Sequence, residues 1–461
     1  MARWRILPQT APLQGEIRVP GDKSISHRAA ILGLLAEGFT EIRGFLEAED
    51  CLHTLEICRQ LGAAVERLNP GHYKIGGRGL GGLREPEGIL DVGNSGTSIR
   101  LLAGVLAAQR FFAVITGDAS IRRRPMDRVV EPLRAMGARI AGRNRGSRAP
   151  LAFLGLPEGT RLRGREHTLP VASAQVKSAL LLAGLWAAGE TVVREPGPSR
   201  DHTERLLQQF GARLERRPDE VHLAAGNLLR GQNVDIPGDF SSAAFFLAAA
   251  AAIPGSRLVV RGVGLNPTRT GLLDALQAMG ARISVQAASA PAPGQMSQEP
   301  KGDVTVEAAP LRGVEIGGEM IPRLIDEIPA LAVAALAAEG RTVIRDAAEL
   351  RVKECDRIAA LVAELGRLGA RVWAREDGLE IEGPAVLAGG CAFSEGDHRM
   401  AMALAVAGLL ARNPTRVEGV ECVGTSFPSF AQCFSQVTGG QSIETAVGED
   451  RTEETMPLGR A

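Results

Sequence analysis

Lys23, Ser24 and Arg28 crowd the first turns of GDKSISHRAAILGLLA, a stretch that opens on Gly21 and Asp22 and runs on as an apolar helix. A helix start presents unpaired backbone N–H groups and the positive end of its dipole, so cations beside it make a place for phosphate or carboxylate. Similar starts recur. Asn94, Ser95, Gly96 and Thr97 open GNSGTSIRLLAGVLA with small residues that let an anion reach the backbone, and Ser173, Ala174, Gln175 and Lys177 open ASAQVKSALLLAGLWA. Asp326 and Glu327 make IDEIPALAVAALA acidic at its start, and Asp397, His398 and Arg399 open GDHRMAMALAVAGLLA. Any one of these is ordinary cap chemistry, and His398 alone reads as a structural histidine. Cations at corresponding places in several starts exceed what capping needs.

Two more stretches add charge. Arg122, Arg123 and Arg124 precede Pro125 at the expected first turn of a helix, where one arginine is expected to reach a ligand and two to be solvated. Lys353, Glu354 and Arg357 fall at the N-terminal end of a helix marked by Ile358, Leu361, Val362, Leu365 and Leu368. By spacing alone Glu354 and Arg357 are an i,i+3 surface pair.

The elements that must position these groups repeat. Six times a polar start leads into an Ala/Leu-rich helix, at Gly21, Gly93, Ala172, Gly238, Ile325 and Gly396, each expected to be capped by Asp, Ser or Asn. A β-branched strand and a second helix follow, and five second helices close on Gly-Ala, at Gly62, Gly137, Gly211, Gly280 and Gly369, while the sixth copy is degenerate. Each mixed α/β unit is roughly seventy residues long, and two domains of three units are expected. Residues 284–302 read as an exposed Pro/Ala/Gln loop, and 441–461 as a disordered tail with too few apolar residues to pack.

With 53 basic and 53 acidic residues the chain has no net charge, which argues against a dedicated nucleic-acid or membrane-surface binder. An RNA-binding repeat protein acting through RRR and RNRGSR is the rival from another class, and one Tyr with three Trp gives it little to stack bases on. Neither a P-loop nor a GxGxxG after a strand is present. The six cysteines lack metal-ligand spacing and are expected to be buried free thiols. The N-terminus has no signal-peptide pattern, no apolar run reaches membrane-spanning length, and a cytoplasmic protein is expected.

PGDKSISHRA, GNSGTSIRLL, RPMDRVVEPLRAMGA, ASAQVKSALLLAGL, SRDHTERLL, LIDEIPALAVAA, ELRVKECDRI and GDHRMAMA, in that order, resemble the enolpyruvyl transferases over about residues 7–436. The resemblance implies an α/β fold of two globular halves, each of three βαβαββ units around a pseudo-threefold axis, an inside-out α/β barrel. It places residues 1–20 with 239–440 in a C-terminal half and 21–238 in an N-terminal half, the chain crossing near Pro20 and Gly238. The implied reaction moves the enolpyruvyl group of phosphoenolpyruvate to the 5-hydroxyl of shikimate 3-phosphate through a tetrahedral ketal, with release of phosphate. It implies no cofactor and no metal, no nucleic-acid or membrane partner, and a monomer whose cleft closes on its first substrate.

Carried over by the resemblance, Lys23, Ser24, Arg28, Ser173, Ala174, Gln175, Arg200, Asp326 and Lys353 would hold shikimate 3-phosphate. Phosphoenolpyruvate would fall to Lys23, Asn94, Gly96, Thr97, Arg124, Gln175, Arg357 and Arg399. Asp326 is the implied base for the hydroxyl and Glu354 the acid at the methylene carbon, assisted by Lys23. The sister reaction, on UDP-N-acetylglucosamine, uses a cysteine in the loop before the RP arginine, and GDASIRRRP has none. SAQ, SRDHT, LRVKE and TSFP resemble the class of the family often tolerant of glyphosate, whereas Gly96 leaves open the space that a side chain fills in tolerant relatives, which points to sensitivity.

Overall fold

The computed structural model describes residues 2–288, 298–440 and 442–447. Among them the strands form six four-stranded sheets, one for each unit. The second unit shows the plan. Strand Leu90–Asp91 leads into helix Gly96–Ala107 and the parallel strand Ala113–Thr116; helix Asp127–Ala135 and the antiparallel pair Ile140–Arg143 and Arg148–Phe153 complete a βαβαββ unit. Both helices of each unit connect strands of one sheet, so their first turns gather at the strand ends.

Three sheets borrow strands from distant sequence. Asn233–Asp235 joins the first unit beside Phe39–Arg43, and Gln14–Ile17 joins the fourth beside Arg257–Gly264, both in parallel. Ala2–Ile6 lies antiparallel to Thr415–Glu418 in the sixth. The sixth sheet is thus completed by a strand from the other end of the chain.

The tail expectation needs correction. Ile443–Val447 is a strand, antiparallel to Ala2–Ile6 with Ile443 opposite Ile6. Local apolar content misses it because its partner is the backbone edge of a strand at the opposite terminus. Gln441 and residues 448–461 lie outside the described residues. The 284–302 loop is shorter than expected too. Arg282–Ala287 and Lys301–Glu307 pair as antiparallel strands, and 289–297 lie outside the described residues.

The six first helices form the interior. Phe240–Ala252 is buried along its whole length, and Ile328–Leu336 likewise. Small residues allow the approach: a Cβ at Gly104 would collide with the backbone carbonyl of Ala179 on the neighbouring helix. Two cores result, one built from residues between Ile25 and Ile236, the other from Trp4–Val19 and Phe240–Val437. The five helix-closing glycines all have positive φ, from 93° at Gly211 to 107° at Gly137, a region that disfavours a side chain. The side chains of Asp22, Ser95, Ser173, Asp239 and Asp397 cap their helices. The fifth start departs from that pattern: Glu327 makes no cap hydrogen bond, and Pro329 occupies the first turn. All six cysteines are free, with Cys51, Cys58 and Cys433 buried and Cys355, Cys391 and Cys422 half-buried, less covered than expected.

Candidate active site

The polar helix starts converge on a cavity between the two halves. Lys23, Ser24, Arg28, Asn94, Gly96, Thr97 and Arg124 line it from the first two units, and Ser173, Ala174, Gln175 and Arg200 from the third. Asp326, Lys353, Glu354 and Arg399 face them from the C-terminal half. Arg357 does not line the cavity. It is 1% exposed behind the wall and donates to Asp397 Oδ2 (2.7 Å), Glu354 Oε2 (2.6 Å) and Asp326 Oδ1 (3.2 Å), so the surface pair suggested by spacing is a buried clamp.

Ion pairs bridge the halves. Arg124 Nη2 lies 3.0 Å from Glu354 Oε1, and Arg200 Nη2 lies 2.7 Å from Asp326 Oδ2. Lys353 Nζ (3.5 Å) and Arg399 Nη2 (4.0 Å) complete the ring around Asp326. Burial pushes the Asp326 carboxyl up, but Lys353, Arg200, Arg399 and Arg357 outweigh it and hold the group well below the ordinary carboxylate range. Glu354 follows the same pattern: Arg357, Arg124, His398 and Lys353 together overcome its burial. Both carboxylates are therefore ionised at neutral pH.

The remaining walls are donors. Lys23 Nζ contacts Asp50 Oδ2 at 2.5 Å. Arg28 is fixed by Thr203 Oγ1 (2.6 Å), Ser178 Oγ (3.0 Å) and the Ser24 carbonyl (2.9 Å). Gln175 donates to Thr97 Oγ1 (3.0 Å) and accepts from Arg100 Nη1 (2.5 Å). Asn94 Nδ2 donates to Asp118 Oδ2 at 2.6 Å. A Cβ on Gly96 would meet the Arg124 guanidinium, which lies against it. Arg124 Nε is buried with no hydrogen-bond partner among the described residues. Such an arrangement can seize several anionic groups at once and place two ionised carboxylates beside them.

Some members were not visible in the sequence. Arg100 lines the cavity one turn after Gly96, and helical spacing could have found it. Asp50, Arg128, Arg269 and Glu349 also line it, from second helices or loops whose sequence gives no such signal. Arg269 donates to Asp22 Oδ2 at 2.9 Å and joins caps from the two halves. His398 lines the cavity, and burial, with Lys23 and Arg399 adding to it, keeps its imidazole neutral. Conversely, Lys177 points away into a buried cluster with Glu195 (2.6 Å) and Glu204 (2.8 Å). Arg122 and Arg123 are exposed, leaving Arg124 as the one buried arginine of the three. No group of His, Cys, Asp and Glu among the described residues is arranged to hold a metal ion.

The fold and cleft thus define a class: a two-half α/β protein of six repeated units with an anion-binding cavity between the halves. Within that class, the family model for EPSP synthase (3-phosphoshikimate 1-carboxyvinyltransferase) matches residues 7–434. A 3-phosphoshikimate 1-carboxyvinyltransferase of Bacillus cereus (strain 03BB102) is 51% identical over 438 residues, covering 95% of this chain and 100% of the relative. One from Geobacter metallireducens is 52% identical over 426 residues, with 92% and 97% covered. The solved EPSP synthase of Acinetobacter baumannii superposes with a TM-score of 0.85 at 44% identity, covering 97% of this chain and 100% of that one. The chain belongs to the EPSP synthase family.

Proposed function

We propose that this enzyme transfers the enolpyruvyl group of phosphoenolpyruvate to the 5-hydroxyl of shikimate 3-phosphate, giving 5-enolpyruvylshikimate 3-phosphate and phosphate. The observation that carries the chemistry is the pair of ionised carboxylates, Asp326 and Glu354, each held between cations of both halves. Shikimate 3-phosphate is assigned to Lys23, Ser24, Arg28, Ser173, Ala174, Gln175, Arg200, Asp326 and Lys353. Phosphoenolpyruvate is assigned to Lys23, Asn94, Gly96, Thr97, Arg124, Gln175 and Arg399, with Arg357 acting from behind through Asp326 and Glu354.

In the addition step Asp326 takes the 5-hydroxyl proton as that oxygen attacks C2 of phosphoenolpyruvate. A proton from Glu354 goes to the C3 methylene, giving a ketal that still carries phosphate. In the elimination step the C2–O bond to phosphate breaks, the departing phosphate takes up the proton held by Asp326, and a methyl proton returns to Glu354, restoring the double bond. Glu354 needs a proton that Arg357 and Arg124 disfavour. The phosphate and carboxylate of phosphoenolpyruvate would engage those cations and raise the Glu354 pKa when the substrate is bound.

The domains proposed are 21–238 and 1–20 with 239–440; the separate cores and the paired caps Asp22 and Asp239 support that division. A monomer is proposed because one chain supplies every group of the cavity. No helix of the described residues is long and apolar enough to cross a membrane, and a cytoplasmic location is proposed. The phosphoenolpyruvate side is also proposed as the place where glyphosate binds.

The test is phosphate release by the purified protein with phosphoenolpyruvate plus shikimate 3-phosphate, run beside phosphoenolpyruvate plus UDP-N-acetylglucosamine. Release in the first mixture alone, dependent on both substrates, is expected. Release only in the second would assign the sister reaction instead.

A further inference from the structure

Lys23 and the Asn94–Thr97 loop come from different repeat units, and a buried polar cluster that none of the assigned roles uses lies between them. At its centre is His27, one turn below Lys23 on helix Lys23–Leu35 and with no exposed surface. Nδ1 lies 2.8 Å from Thr54 Oγ1 and 3.2 Å from Ser98 Oγ. Nε2 lies 3.4 Å from Ser95 Oγ and 3.8 Å from Cys51 Sγ.

Each hydroxyl around the ring belongs to a helix whose start faces the cavity. Thr54 sits one turn after Asp50, the carboxylate that holds Lys23, and donates to the Asp50 carbonyl at 3.2 Å. Ser95 caps helix Gly96–Ala107, accepting from the Ser98 backbone N–H at 3.1 Å, and the two serine hydroxyls are 2.7 Å apart. One imidazole thus touches both the helix that carries the partner of Lys23 and the cap beside Gly96. A neutral imidazole offers one donor and one acceptor on different edges, and hydroxyl partners rotate to suit it. Burial, with Lys23 and Arg28 adding to it, keeps His27 neutral, so it joins the helices without placing another charge beside Lys23. Arg28, the next residue, turns the other way to Thr203 and Ser178 and takes no part in the cluster.

We propose that His27 is a positioning residue for phosphoenolpyruvate: by pairing with Thr54, Ser95 and Ser98 it fixes the start of helix Gly96–Ala107 relative to Lys23. This rests on the assignment of the Asn94–Thr97 loop to phosphoenolpyruvate. Arg28, Ser173, Arg200 and Lys353 lie outside the cluster, so loosening it affects phosphoenolpyruvate more than shikimate 3-phosphate, which besides Arg28 shares only Lys23 and Ser24 with this helix.

The experiment measures KM for each substrate in wild type, His27→Leu, His27→Gln, Ser98→Ala and Thr97→Ala. Leucine fills the space without hydrogen bonds, and the resulting displacement is expected to raise the KM for phosphoenolpyruvate about tenfold or more. The KM for shikimate 3-phosphate is expected to stay within about threefold, and glutamine, which keeps a donor and an acceptor, is expected to restore most of the loss. An unchanged phosphoenolpyruvate KM in His27→Leu overturns the proposal, as does an equal rise for both substrates, the mark of a merely structural residue. Should His27→Leu fail to fold, Ser98→Ala decides. It removes one partner of the imidazole together with the direct Thr54–Ser98 contact (2.6 Å) but leaves the Ser95 cap, so a rise confined to phosphoenolpyruvate supports positioning by this cluster and wild-type values overturn the proposal. Thr97→Ala keeps the two levels apart. If it leaves the phosphoenolpyruvate KM at the wild-type value, the loop assignment falls and the role of His27 falls with it. If it raises that KM while His27→Leu does not, only the role of His27 falls.

Discussion

Asp326 and Glu354 are the residues on which turnover should depend most. Removing the proton acceptor in Asp326→Ala, or the carboxyl in Glu354→Gln, is expected to lower kcat roughly a hundred- to ten-thousandfold. Steady-state phosphate release checks both, and near-wild-type turnover in either variant would remove that residue from its role. Gly96 makes a different prediction. A methyl at this position meets the end of the Arg124 side chain, which is flexible and can be displaced, so the fold should survive. Gly96→Ala is expected to raise the KM for phosphoenolpyruvate roughly tenfold or more and the glyphosate concentration for half-inhibition with it. Inhibition curves of both proteins at matched substrate saturation would show it, and unchanged values for both would mean that Arg124 does not engage either ligand.

At the scale of the element, the units are held by their ends. Gly137 closes helix Asp127–Ala135 at φ 107° with open space where a Cβ would stand, so Gly137→Ala isolates backbone strain from packing. A loss of about 1–2 kcal/mol with unchanged kcat is expected, read from urea melts and initial rates. The fifth start shows an element shaped by its site. Asp326 lies one residue before the unmade Glu327 cap, and its oxygens go to Arg200, Arg357 and Lys353 instead of to the helix N–H groups. The acidic start was plain in the sequence, but which partners it would take was not, because they come from two other segments.

At the scale of the whole molecule, buried neutral histidines set a pH dependence. His27 and His398 are held well below the ordinary 6.5, and burial pushes His167 down to about 4. Between pH 6.5 and about 4 the unfolded chain therefore binds more protons than the folded one, so stability present at neutral pH is lost as pH falls through that window. Lower still, Asp326 and Glu354 act with the same sign, whereas Asp50 and Asp239, raised by burial, act against it. A fall in Tm of about 3 °C or more between pH 7.5 and 5 is expected in thermal melts. A flat profile would mean that these imidazoles protonate in the folded protein.

The six helix starts, five of their capping residues and the Gly-Ala stops are local signals, written in a few neighbouring residues each, and the sequence alone determined them together with the α/β class. The ordered motifs likewise named most of the groups that face the cavity, but not Asp50, Arg100, Arg128, Arg269 and Glu349. Tertiary structure decided what depends on distant partners. Ile443–Val447 becomes a strand only because Ala2–Ile6 offers it an edge, and the sixth unit is complete only across the two termini. Lys177 and Lys23 look alike as cations at helix starts, yet one is buried between Glu195 and Glu204 and the other faces the cavity. Arg357 was legible as a cation near the site, but its place behind Asp326 and Glu354 was not. Charge and spacing travel with the chain; burial and partner choice arise only when segments far apart in sequence are brought within hydrogen-bond reach.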